Sequence, residues 1–158
     1  MSNLFSFKTI DETKLVNKPW GQEKWLQAGD DIHKYAFKEI ILFPGQKTSL
    51  QVHKFKAETN YILEGSGYIL KSEIPLDCDK YVNNGYTAQE IGEILNSLQS
   101  IRYDLGSVIS IGPGIIHRMI SVTHSKFIEA STTELDDVLR LHDDTGRGHG
   151  RVEHEHTT

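Results

Sequence analysis

The sequence predicts an all-β domain interrupted by one helix, on three observations. Short runs rich in β-branched and aromatic residues recur along the chain, separated by Gly, Pro, Asn and Asp turn signals. One stretch, Thr87 to Leu98, carries a helix start signal followed by apolar residues at helical spacing. The 158 residues match one domain with a single core.

In chain order, residues 1–17 read as an N-terminal arm whose Leu4, Phe5 and Phe7 pack on the domain or on a partner subunit. Lys18-Pro19-Trp20-Gly21 is a turn before a strand from Gln22 to Leu26, with Trp20 either a core or interface residue or an aromatic wall for a sugar ring. Gly29-Asp30-Asp31 turns the chain into a strand over Tyr35 to Phe43. Pro44-Gly45 leads into a short strand in which Gln51 and His53, two apart, share one face. Glu58 follows and opens a strand that ends at Glu64-Gly65.

After a strand over Tyr68 to Lys71, residues 72–104 read as an insertion. It holds the turn Asn83-Asn84-Gly85 and the capping box Thr87-Ala88-Gln89-Glu90, then an apolar stripe of Ile91, Ile94, Leu95 and Leu98. Strands are expected over Gly106 to Ile111 and His117 to Val122, joined by Gly112-Pro113-Gly114. A last strand, Lys126 to Thr132, places Phe127, Glu129 and Ser131 on one face. Glu134 to Leu141 reads as a short helix. Residues 148–158 read as a mobile tail, its histidines His149, His154 and His156 included.

A formal net charge of −5 argues against a nucleic-acid footprint or a basic membrane-surface patch. No apolar run approaches the ~20 residues of a membrane-spanning helix, and the N-terminus lacks the pattern of a signal peptide. Cys78 stands alone, so no internal disulfide forms, which suits a cytoplasmic setting.

Gln51, His53, Glu58 and His117 make an N/O ligand set for one divalent metal, with positions left for water or substrate. Zinc is expected first. Mn, Fe, Co and Ni stay open because the neutral amide of Gln51 is a weak ligand. The spacing G-x5-[HQ]-x-H-x4-E-x6-G fits Gly45, Gln51, His53, Glu58 and Gly65; G-x5-P-x-G-x2-H fits Gly106, Gly114 and His117, with Gly112 at the proline position. These resemble the two motifs of the cupin superfamily, which implies a single antiparallel β-barrel or jelly roll with the 72–104 segment inserted beside its mouth as padding or as a substrate lid.

Within that superfamily the chain resembles the cupin domain of type II mannose-6-phosphate isomerases. The likeness rests on Lys18-Pro19-Trp20-Gly21, Ser49-Leu50-Gln51-Val52-His53, His117-Arg118 and Val138 to Arg147, and so covers residues 18–147. It departs from the pattern at Phe55, Gly112 and Thr145, and in the long insertion. The resemblance implies a homodimer that isomerises or epimerises a phosphorylated or activated sugar for cell-surface polysaccharide. Glu129, then Glu64, are the acid/base candidates. Arg118, Arg140 and Arg147, with Lys47 as a weaker choice, are the anchors for a phosphate. A non-catalytic sugar-binding module and a non-haem iron oxygenase are the competing readings. An inward carboxylate near the metal discriminates catalysis from bare binding.

Overall fold

Strand alternation sets the architecture. In Ala36–Leu42 every second residue is buried (Ala36, Lys38, Ile40 and Leu42), while the residues between are half-exposed. The same period runs through Glu58–Glu64 and Ser125–Ser131. The computed structural model describes residues 4–156.

Among the described residues, eleven strands form two antiparallel sheets. They are β1 (Lys14–Lys18), β2 (Gly21–Gln27), β3 (Ala36–Leu42), β4 (Leu50–Val52), β5 (Glu58–Glu64), β6 (Gly67–Lys71), β7 (Gln99–Tyr103), β8 (Val108–Ile111), β9 (His117–Ser121), β10 (Ser125–Ser131) and β11 (Leu139–His142). One sheet has the order β1-β2-β3-β10-β5-β8, the other β11-β4-β9-β6-β7. Their inner faces meet over a core of Trp20, Ile40, Leu42, Ile62, Ile69, Tyr103, Ile111, Met119 and Phe127. This is the expected all-β sandwich or jelly roll. Trp20 serves in that core and also lines the cavity described below.

Two short helices, α1 (Cys78–Val82) and α2 (Ala88–Asn96), belong to the insertion. The α2 start follows the sequence: the Thr87 side chain accepts from the Glu90 N–H, and the Glu90 carboxylate accepts from the Thr87 N–H. Ile94, Leu95 and Leu98 of the apolar stripe pack against a buried cluster of Leu50, Val52, Leu76, Cys78 and Ile116, as do Leu139 and Leu141. Of these, Leu50, Val52, Ile116, Leu139 and Leu141 alternate with Gln51, His117 and Arg140, so the insertion covers the outer face of the second sheet. No residue of 72–104 lines the cavity, which corrects the lid expectation.

Four other expectations shift. β1 lies inside the stretch read as an arm, and β7 inside the insertion, where it pairs with β6. β11 stands where a short helix was expected, because Leu139, Arg140 and His142 pair with β4 across the sheet. Leu4, Phe5 and Phe7 do not pack on the domain; they are 88, 81 and 85 % exposed. Residues 1–3 of the arm and 157–158 of the tail lie outside the described residues.

Candidate metal centre and its cavity

The two motifs meet through a turn. Gly114, at φ +84°, donates its N–H to the His53 carbonyl at 2.8 Å, a left-handed position that favours glycine. Three residues on, His117 opens β9 directly across from Gln51 of β4. Among the described residues, His53, Glu58 and His117 bring one ligand atom each within 4.8 Å of one another.

Both imidazoles are oriented by backbone carbonyls. His53 Nδ1 donates to the Asp137 carbonyl at 2.5 Å, and His117 Nδ1 to the Ile115 carbonyl at 2.9 Å. Each ring therefore turns Nε2 towards Glu58, at 3.6 Å for His53 and 3.5 Å for His117. His53 Nε2 is buried without a hydrogen-bond partner. A lone pair left bare in that position is what a cation would complete, and outer carbonyls holding Nδ1–H are the usual support for a metal-bound imidazole. Burial lowers the proton affinity of His117, partly opposed by Glu58, which keeps the ring neutral as a ligand must be. The residues fit a divalent metal.

Gln51 adjoins this group but presents the other end of its amide. Its Oε1 accepts from the Ser49 hydroxyl at 2.8 Å, and its Nε2 lies 3.4 Å from His117 Nε2. As oriented it is a donor beside the three ligands. Ligation through Oε1 would require the amide to turn over.

A buried charge relay runs on from Glu58. Lys56 Nζ donates at 2.7 Å to Glu58 Oε2 and at 2.7 Å to Glu129 Oε1. Burial works against the ionised form of Glu58, but the Lys56 ammonium, foremost among its partners, holds the group well below its usual range. Burial, reinforced by the Glu58 charge, pushes Glu129 up against the pull of Lys56 and Lys38. Lys56 is held above its usual range because the two carboxylates overcome its burial. Further along the wall, Lys38 lies 3.5 Å from Glu23, whose other donor is Trp25 Nε1 at 3.0 Å. Glu23 is lowered to about 2: burial opposes this, and Lys38, Lys18 and the Trp25 bond prevail.

The cavity thus gathers His53, Glu58, His117, Gln51, Glu129 and Trp20 of the expected site, and with them Arg140 and Arg147. It does not gather three others. Glu64 ends β5 with its side chain 56 % exposed, 3.9 Å from Lys126. Arg118 alternates with His117 and so faces the opposite side of its strand, where Nε donates to the Thr48 carbonyl at 2.7 Å and Nη2 lies 3.5 Å from Asp144. Lys47 pairs with the same Asp144 on the surface. Glu64, Arg118 and Lys47 are therefore corrected as cavity residues.

Sequence reasoning passed over Lys56 and Asp137. Lys56 was legible, since it lies two residues before Glu58 and keeps its parity. Asp137 was not, because its role depends on distant pairing. Its carboxylate accepts the backbone N–H groups of Lys54, Phe55 and Lys56 at 3.0, 2.7 and 3.0 Å, pinning the loop between β4 and β5. Those bonds lower its proton affinity against the opposing effect of burial.

No protein-family model matches the chain. Its backbone superposes on capsular polysaccharide assembling protein CapF from Staphylococcus aureus with a TM-score of 0.59 at 17 % identity, over 89 % of this chain and 33 % of that one. Ectoine synthase from P. lautus gives 0.58 at 12 % identity, over 82 % of this chain and 78 % of that one. Oxalate decarboxylase from Lactobacillus farciminis gives 0.60 at 14 % identity, over 89 and 38 %. The fold is the cupin fold. In sequence, the chain is 28 % identical over 134 residues to mannose-1-phosphate guanylyltransferase from Escherichia coli (strain K12). The match covers 84 % of this chain but spans only 23 % of that relative. Among the described residues, no helix is long and apolar enough to cross a membrane.

Proposed function

We propose that this cupin is a metal-dependent isomerase, or a related epimerase, of a phosphorylated or activated sugar used in cell-surface polysaccharide synthesis. The observation that carries the reading is Glu129: a buried carboxyl of raised proton affinity inside the same cavity as His53, Glu58 and His117. An inward acid/base near the ligand set favours catalysis over a bare sugar-binding module. The sugar class is supported by the likeness to a sugar-phosphate guanylyltransferase and to a capsular polysaccharide assembling protein.

His53, Glu58 and His117 would hold the metal, with Gln51 beside them. A divalent cation there supplies Lewis acidity towards a carbonyl and its neighbouring hydroxyl. In aldose–ketose conversion one proton moves from C2 to C1 and another from O2 to O1. Glu129 takes the C2 proton and returns it at C1, work that suits a carboxyl whose proton affinity is raised above its usual range. Lys56 fixes Glu129 and Glu58 relative to each other. Arg140 and Arg147 stand in the cavity wall as anchors for a phosphate. The low-charge ligand set leaves zinc the first expectation and Mn, Fe, Co and Ni alternatives.

The test is metal content by mass spectrometry together with conversion of mannose 6-phosphate to fructose 6-phosphate. Stoichiometric metal and turnover are expected in the wild-type protein. His53→Ala with His117→Ala should lose both, and Glu129→Gln should keep the metal and lose turnover by ~100-fold or more. Turnover that survives Glu129→Gln, or a folded wild type without metal, overturns the reading.

A further inference from the structure

The far end of the cavity is closed by the chain's own C-terminal segment. Gly148 and Gly150 turn their carbonyls to Arg140 Nη1, the latter at 2.9 Å, and the Gly150 N–H donates to the Val138 carbonyl. Val152 and His156 line the cavity, and the His156 ring meets the edge of Trp25 at 5.3 Å between centroids. Of residues 148–156, Glu155 alone is buried. Its side chain, 2 % exposed, is held by one cation on each oxygen: Lys18 Nζ on Oε2 at 2.5 Å and Arg147 Nη1 on Oε1 at 3.1 Å.

Two properties of this arrangement point beyond a structural ion pair. First, the cations are supported independently of Glu155. Arg147 keeps a two-pronged contact with Asp143, through Nε at 3.1 Å and Nη2 at 2.8 Å, so Nη1 stays aimed inward whether or not Glu155 is there. Lys18 closes β1 opposite Gly21 in the sheet. Arg140 lies across from Gln51 in the β11–β4 register, which sets this end of the cavity one strand from the candidate ligands, and its Nε is buried without a partner. Second, Val152 is the segment's one apolar side chain and is only half-buried, and two glycines precede its one buried group. The start of the strap is tied to residues 138–140 by the Gly148, His149 and Gly150 hydrogen bonds, and His156 rests on Trp25. Glu155 is its one charged link into the cavity wall, so an anion that replaces that carboxylate loosens the far part of the strap. Opening with nothing in its place would strip Lys18 Nζ of its ion pair and leave Arg147 with Asp143 alone, so exchange for another anion is the favoured route.

We propose that Lys18 and Arg147, with Arg140 beside them, form an anion subsite for the phosphate of the substrate, and that Glu155 occupies it as a built-in competitor which the phosphate displaces. The inference rests on the reading of the cavity as a sugar-phosphate site and adds Lys18, Glu155 and the strap to it. The strap makes the binding-competent state a fraction of the population, and the apparent affinity for any anion falls by that fraction.

The experiment is calorimetric titration of the full chain with inorganic phosphate, comparing wild type with Glu155→Gln, which keeps the shape and removes the charge. The expected result is roughly tenfold tighter phosphate binding in Glu155→Gln, and loss of that binding in Glu155→Gln with Lys18→Met. Equal or weaker binding in a Glu155→Gln protein that melts like wild type overturns the proposal. Should Glu155→Gln fold poorly, amide hydrogen exchange of residues 148–156 in the wild type decides instead. Faster exchange with phosphate supports displacement; unchanged or slower exchange overturns it. Phosphate that frees the strap in a protein without isomerase turnover supports the subsite and removes the reaction. Turnover with a strap indifferent to phosphate overturns the subsite and leaves the reaction.

Discussion

Two neighbouring rows of side chains cross the inner face of the larger sheet, and they have opposite character. In one, Ile40 of β3, Phe127 of β10 and Ile62 of β5 stand side by side. In the next, two residues along each strand, stand Lys38, Glu129 and Asn60. The first row joins the apolar core and the second faces the candidate ligands. The same strands therefore build stability and chemistry a few ångströms apart, ~7 Å at the usual rise of a strand. A one-residue slip would turn both rows outwards, so the apolar row fixes the register on which the charged row depends.

The largest expected effect separates the rows by stability. Phe127→Ala removes a ring from the packed row and should cost about 3–5 kcal/mol in chemical denaturation, while the folded fraction still takes up its metal. His117→Ala should do the converse, losing the metal at a smaller cost in stability. If Phe127→Ala abolishes metal uptake in the folded protein as well, the rows act as one unit and the division fails.

Acid separates them next. Glu23 sits across β2 and β3 from the apolar row, paired with Lys38, and is lowered from 4.5 to about 2. Below pH 4.5 the unfolded chain takes up a proton that the folded protein resists down to about 2. The group's stabilisation is therefore complete above that window and is lost as pH falls through it. Glu23→Gln should flatten this part of the stability curve, measured by urea unfolding across the window. A slope equal to that of the wild type would assign the acid sensitivity to other carboxylates.

The fold was legible because its signals are local. Turn residues, alternation in β3, β5 and β10, and the Thr87 capping box each belong to a few neighbouring residues. The candidate ligands were legible for the same reason, since strand parity places Gln51 and His53 together and the Gly114 turn delivers His117. What escaped depends on distant partners. β1, β7 and β11 are short and are fixed by pairing with β2, β6 and β4 rather than by pattern. Arg118 follows parity away from the cavity, although its neighbour His117 faces in. The strap of residues 148–156 carries a single apolar residue, Val152; its place comes from distant partners, Arg140 and Val138 on its glycines, Trp25 on His156 and the cations that meet Glu155.

Glu64 is the sharpest case, and the smallest effect. Its even offset from Glu58 suggests the inward face, and parity holds through Asn60 and Ile62. It then breaks, because the β10 register passes from Phe127 opposite Ile62 to Lys126 opposite Glu64, two residues of β5 against one of β10. Such a bulge re-aims the side chains beyond it. Glu64 ends in solvent with only Lys126 at 3.9 Å, a surface pair worth about 0–1 kcal/mol. Glu64→Gln should therefore leave stability within about 0.5 kcal/mol and leave metal content and turnover unchanged. Glu129→Gln, one bulge away on the partner strand, removes the proposed proton carrier. Assayed together, the two variants turn a local irregularity of the sheet into a functional difference between two glutamates. A loss of turnover in Glu64→Gln would mean that the strand end folds inward when substrate binds, and that the bulge is a working part of the site.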